Sequence, residues 1–228
     1  MEARSDTSCL EIIMKVLGIS GSPIQNSNTD RALKIVLEAT GMKSEFIKLS
    51  DYNVGPCDAC LGCIKSNRCI KKDDGVMLAE KSYKANAVVI AGFTPYSSID
   101  SRTKAYMERL YPLRHRHGLM AGKPGAAIVT SAIPPGHEGM PPAAEIGMQA
   151  IQHFMLEEGM RFIGGVSLQG NVPCIRCGQD GQCQMSAIKM IHGRDATPES
   201  VGINDFANDP KKVAELQQLG EAIRSSLY

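Results

Sequence analysis

No sign of charge dominates this chain: 25 Lys and Arg stand against 24 Asp and Glu over 228 residues, a formal net charge of +1. Without a basic field there is nothing to draw nucleic acid or anionic lipid nonspecifically, so neither is expected as a partner. Long apolar runs are missing too. No stretch approaches the eighteen or so apolar residues of a membrane span, and the opening MEARSDTSCLE holds no segment of the kind a secretion signal needs. The expectation is a cytoplasmic protein with no membrane partner. Internal repeats and low-complexity linkers are also absent. One domain spanning 1–228 is expected, since a chain of this length can bury a full core.

What the chain does have is cysteine, eight in all, without a secretion signal. A reducing cytosol does not keep structural disulfides, so metal or redox chemistry is the expectation. Four of them, Cys57, Cys60, Cys63 and Cys69, fall within PCDACLGCIKSNRC at C-x2-C-x2-C-x5-C spacing. Short spacers let one loop wrap an iron-sulfur cube with a thiolate at each corner, much as the C-x2-C-x2-C-x3-C run of bacterial ferredoxins does. The last spacer is longer here and no Pro follows Cys69. A four-thiolate zinc site, two disulfides, or thiols that merely pack are the competing readings. The cluster is preferred, because zinc sites split their ligands into two separated C-x2-C knuckles.

Strand and helix signals alternate along the chain. Apolar runs predict strands at Ile12–Ile19, Glu45–Leu49, Ala87–Phe93, Gly125–Thr130 and Phe162–Leu168. Helical spacing predicts helices at Thr29–Ala39, Gly75–Lys84, Ser101 to about Leu110, Pro142–Glu158 and Lys211–Ser226. Such alternation implies an α/β protein with a parallel sheet covered on both faces. Five strands fit a doubly wound sheet of order 2-1-3-4-5, whose ligand sits at the carboxyl ends beside the strand-order reversal. The cysteine loop, 53–74, follows the second strand, and residues 171–228 form a C-terminal extension.

The loops after strands one, three and four should therefore build one pocket. After the first comes GISGSP and then NSNT. Small residues let the backbone approach an anion, hydroxyls of Ser20, Ser22, Ser27 and Thr29 offer donors, and the following helix adds oriented N–H groups. The loop matches neither G-x-x-x-x-G-K-[ST] nor G-x-G-x-x-G, which disfavours a P-loop nucleotidase and a dinucleotide fold. An ordinary capped turn is the plain alternative. After the third strand, Thr94-Pro95-Tyr96-Ser97-Ser98 presents a rigid turn and an aromatic ring, a slot that suits a flavin. SAIPPGHEG, after the fourth, is long and rich in Pro and Gly; its His137 and Glu138 are taken as a solvated pair.

KVLGISGSPIQNSNT, the PCDACLGC loop running into CIKKDD, and TPYSS together resemble the iron-sulfur flavoproteins, a branch of the NADPH-dependent FMN reductase and flavodoxin-like group, over roughly 14–170. The resemblance implies FMN at the first-strand loop and a 4Fe-4S cluster at the compact cysteine motif. It implies that Ser20, Ser22, Ser27, Asn28 and Thr29 hold the FMN phosphate, and that Thr94, Pro95, Tyr96 and Ser97 flank the isoalloxazine. It also implies a homodimer or homotetramer in which a cluster lies near a neighbouring subunit's flavin. Two departures stand out: Ile24 replaces a basic residue usual in the family, and SAIPPGHEG replaces a Gly-rich loop.

Cys174, Cys177 and Cys183 are three further thiols without an adjacent fourth. They either pack structurally or bind a second metal or cluster with Cys9, His192 or another subunit. Arg114-His115-Arg116-His117 reads as a solvated face, with docking of an acidic donor such as a ferredoxin as the alternative. The leading reading is an oxidoreductase moving electrons between a cluster and FMN. An NAD(P)H-dependent FMN or quinone reductase without a redox-active cluster, and a non-enzymatic zinc-binding interaction module, are the alternatives.

Overall fold

The computed structural model describes residues 14–179 and 182–228. Cys9, and the Ile12 and Ile13 that open the first expected strand, lie outside the described residues. Strands are β1 Lys15–Ser20, β2 Lys43–Lys48, β3 Ala87–Phe93, β4 Pro124–Ser131 and β5 Arg161–Gln169. Helices are α1 Asn28–Ala39, α2 Gly75–Lys84, α3 Ser101–Arg109, α4 Ala143–Glu157, α5 Cys174–Cys177, α6 Ala187–His192, α7 Pro198–Val201 and α8 Pro210–Ser225. All strand pairs are parallel and the sheet order is β2-β1-β3-β4-β5. Parallel strands need crossovers, and the helices between them supply these while covering both faces.

The pleat divides each buried strand between two cores. Leu17, Ile19, Val88, Ile90 and Val129 point to one face, where Leu78 of α2, Tyr106 and Met107 of α3, and Ile151 and Met155 of α4 cover them. Val16, Val89, Ala91, Ala126 and Ile128 point to the other, against Leu33 and Val36 of α1 and Leu216 and Ile223 of α8. Helix α8 is thus part of the second core, whereas α5, α6 and α7 are short and lie outside it.

One buried carboxyl has no use in that packing. Glu158 caps the C-terminal end of α4 with a side chain 5 % exposed; its Oε2 has no hydrogen-bond partner among the described residues, and Arg114 lies 3.7 Å from Oε1. Burial pushes its pKa up to about 7, against the pull of Arg114 and with a further push from Glu157. A raised carboxyl pKa means that the folded state holds the proton more tightly than the unfolded chain does. Stability is therefore full below the unfolded value near 4.5 and falls as pH rises through about 7. Glu158→Gln should match the parent in urea unfolding at pH 4.5 and exceed it by roughly 2–3 kcal/mol at pH 8. Equal pH dependence in the two proteins would remove Glu158 as the cause.

Candidate functional site

The four spaced cysteines meet in one place. Cys57, Cys60, Cys63 and Cys69 line one hollow together with Arg109, Tyr111 and Pro112. Cys63 is buried, Cys57 and Cys69 are half-buried, and Cys60 is exposed. Burial pushes the Cys63 thiol pKa up, and the neighbouring Cys69, Cys57 and Cys60 push it further, so the sulfurs lie within reach of one another's charge. Among the described residues no three His, Cys, Asp or Glu side chains converge on a single ion.

The loop reaches this shape through backbone that side chains ordinarily avoid. Ala59, Leu61 and Asn67 have φ of +51°, +57° and +52°. Each such non-glycine residue costs roughly 1–3 kcal/mol and persists only where its surroundings hold it. They do so here. Asn67 donates through Nδ2 to the Pro112 carbonyl at 2.8 Å and the His115 carbonyl at 2.6 Å, binding the loop to the chain after α3. Arg109, 1 % exposed, donates through Nη2 to Asp73 Oδ1 at 2.7 Å and to Cys69 Sγ at 3.3 Å, and through Nη1 to the Gly55 carbonyl at 3.1 Å. That guanidinium holds the Asp73 carboxyl below its usual value. Gly75 is required beside it, since a Cβ there would sit 2.8 Å from Arg109 Cζ.

His115 belongs to this site as well. Its Nε2 lies 3.2 Å from Cys63 Sγ, and the Tyr111 ring meets its edge. Arg114, Arg116 and His117 are exposed, as the expected solvated face requires, and His115 alone turns in. Neither Arg109, Asp73 nor His115 carries a sequence signal for this role. An Arg near the end of an amphipathic helix and a His between two Arg residues look like surface.

The second constellation is at the carboxyl ends of β1, β3 and β4. Ser27 caps α1 in a capping box with Asp30, leaving the N–H groups of Asn28 and Thr29 at the open helix end. Ser22 is buried, its Oγ accepting from Ile24 N–H at 3.3 Å. Thr29 donates through Oγ1 to Thr130 Oγ1 at 3.0 Å, joining α1 to the end of β4. Asn28 donates through Nδ2 to the Asn204 carbonyl at 3.0 Å, and Arg31 pairs with Asp205, so the C-terminal extension closes over this helix end. Ser20 differs from the others: it is fully buried and its hydroxyl donates to Asp30 at 2.6 Å, beneath the loop. At Gly21 the backbone approaches α3 so closely that a Cβ would collide with Thr103 Oγ1 and sit 2.6 Å from the Asp100 carboxylate.

Thr94 Oγ1 at the end of β3 is buried without a hydrogen-bond partner among the described residues. Pro95 begins a short turn in which Tyr96 is fully exposed at φ +50°, ψ 39°, with Ser97 at φ +58°. An orphaned hydroxyl and an aromatic ring held out by strained backbone are what a planar ligand with polar edges would complete. The FMN phosphate and ring therefore have residues that fit them at these loops.

The two constellations lie at opposite ends of α3. Asp100 and Thr103, at its start, pack on Gly21, and Arg109, at its end, bonds Cys69. Nine helical residues separate these ends by about 13 Å along the axis. Cys174, Cys177 and Cys183 are free thiols on the extension. His137 is half-buried and Glu138 exposed in the loop after β4, with Gly136 and Gly139 in the left-handed region. No helix among the described residues is long and apolar enough to cross a membrane.

The sequence matches the family of NADPH-dependent FMN reductases over residues 14–168. It is 29% identical over 209 residues to an iron-sulfur flavoprotein of Methanocaldococcus jannaschii, covering 90% of this chain and 98% of that protein. It is 28% identical over 162 residues to an iron-sulfur flavoprotein of Methanosarcina thermophila, covering 70% of this chain and 82% of the relative. In fold it is similar to a flavone reductase, with a TM-score of 0.62 at 14% identity over 94% of this chain and 63% of that one. With a flavodoxin-like sheet and a family match reaching from β1 into β5, the chain belongs to the NADPH-dependent FMN reductase family and is an FMN-dependent oxidoreductase.

Proposed function

We propose that the protein is an iron-sulfur flavoprotein that passes electrons between a 4Fe-4S cluster on Cys57, Cys60, Cys63 and Cys69 and an FMN at the carboxyl edge of the sheet. The observation that carries this reading is the lining of one hollow by all four thiols, with Arg109 donating to Cys69 from a buried position. Four irons each need one thiolate, spread around a cube, whereas a zinc ion needs all four at one point. Bound there, the cluster supplies single-electron exchange, and FMN converts between one- and two-electron chemistry.

The residues divide the work of binding. Ser22, Ser27, Asn28 and Thr29 face the phosphate with hydroxyls and helix-end N–H groups, and Ser20 anchors Asp30 below them. Thr94 offers its free hydroxyl to the ring edge, and Pro95, Tyr96 and Ser97 hold the turn that flanks it. Leu61, Ile64 and Ile70 are exposed around the cysteines, which supports burial of that loop against a second subunit of a homodimer or homotetramer. Arg114, Arg116 and His117 would receive an acidic donor such as a ferredoxin, in the cytoplasm. The unit is one domain, 1–228, in which 53–74 holds the cluster and 171–228 closes over the FMN loops.

The family match favours a second reading, NAD(P)H-dependent reduction of FMN or a quinone with no redox role for the cysteines. Iron, acid-labile sulfide and flavin analysis of anaerobically purified protein separates them. The expected result is brown protein with about four iron, four sulfide and one FMN per chain. Yellow protein without sulfide that turns over NADPH would establish the second reading, and stoichiometric zinc without flavin would overturn both.

A further inference from the structure

Beneath the phosphate loop lies an ion pair that the binding of FMN does not by itself require. Lys48, the last residue of β2, donates through Nζ to Asp30 Oδ2 at 2.6 Å and to the Ile24 carbonyl at 2.9 Å. The two side chains are 4 % and 3 % exposed. Asp30 Oδ1 accepts from the Ser20 hydroxyl and Oδ2 from the Ser27 N–H, so the carboxylate gathers β1, β2 and the cap of α1 onto one point. Desolvating two charges costs about as much as their attraction returns, and an apolar pair of like volume would be as stable. Stability is therefore a poor reason for the pair.

We infer that Lys48 is a positioning residue for the flavin phosphate, acting through the Ile24 carbonyl; the inference rests on the reading of this loop as the FMN phosphate site. The carbonyl of Ile24 and the N–H of Gln25 are opposite ends of one planar trans peptide. Drawing the carbonyl inward onto the ammonium turns the Gln25 N–H outward. Among the described residues Gln25 N–H has no acceptor, and it follows on the same turn as Asn26, at φ +51°, and the open N–H groups of Asn28 and Thr29. The ammonium charge is cancelled by Asp30, so Lys48 works by aiming a donor, not by supplying a free cation. Ile24 needs only its backbone for this role, which accounts for an apolar side chain, 48 % exposed, at the loop tip.

The test compares FMN with riboflavin, which lacks the phosphate, in flavin-stripped full-length protein, by quenching of flavin fluorescence. In Lys48→Met/Asp30→Leu the pair is replaced by apolar groups, so no unpaired charge is left inside. FMN affinity should fall roughly ten- to hundred-fold, the worth of one hydrogen bond to a charged group, with riboflavin affinity unchanged. Lys48→Gln, which keeps an N–H donor for the Ile24 carbonyl, should retain more of the FMN preference than Lys48→Met does. These two single variants leave the ratio readable if the double variant does not fold. Equal losses for FMN and riboflavin, or an unchanged ratio in every variant, would overturn the inference. A parent protein with no preference for FMN over riboflavin would instead overturn the phosphate reading beneath it.

Discussion

Cys63→Ala should leave the protein without iron or acid-labile sulfide while FMN stays bound. Cys63 is the buried member of the four, 8 % exposed, with His115 Nε2 against its sulfur. Water cannot easily take the place of a buried thiolate, whereas at exposed Cys60 it can, so the buried position is the more telling one to change. The loops proposed to hold FMN lie at the other end of α3 and share no residue with the cysteine hollow, so flavin content should be unaffected. Reduced ferredoxin, a one-electron donor, should then reduce the flavin of the parent but not of the variant. NADPH and a small chemical reductant measure direct flavin reduction in both. Full iron content in Cys63→Ala would remove it as a ligand, and equal ferredoxin-dependent rates in the two proteins would remove the cluster from the electron path.

Arg109→Leu should cost about 3–5 kcal/mol of stability and release the cysteine loop, because it leaves Asp73 partly buried and unpaired. The Asp73 side chain is 10 % exposed and keeps only the Gly55 and Gly75 N–H groups when the guanidinium is gone. The Gly55 carbonyl and Cys69 lose their donor in the same step. Arg109→Lys is not conservative at this position: one ammonium cannot bond both oxygens of Asp73, a carbonyl and a sulfur in the fixed directions of a guanidinium. Its loss should fall between parent and Leu variant. Asp73→Asn/Arg109→Leu should recover part of the stability without recovering iron, since the Cys69 contact is still missing. Urea unfolding and iron content of the anaerobic proteins measure the two effects separately. A Leu variant with parent stability would show that the pair is dispensable.

Elements with a local signature were legible in the chain. Ala87–Phe93 and Gly75–Lys84 have the same bounds in the structure as their apolar run and helical spacing predict, and Ser101 opens α3 as expected. Alternation of strand and helix then leads to the parallel order β2-β1-β3-β4-β5. The three short helices α5, α6 and α7 went unread because four to six residues are too few to display a 3.6-residue period.

By itself the sequence determined the doubly wound sheet, the three loops at its carboxyl edge and the four-cysteine spacing, because each is written in neighbouring residues. Only the tertiary structure decided the partners of the long polar side chains. Arg109 finds Asp73 across 36 positions, His115 finds Cys63 across 52, and Lys48 finds Asp30 across 18. Ser20, expected to face the phosphate, turns under the loop because Asp30 offers a buried acceptor there. No periodicity encodes such pairings: a flexible charged side chain has many possible ends, and packing of distant elements leaves one of them dry and satisfied.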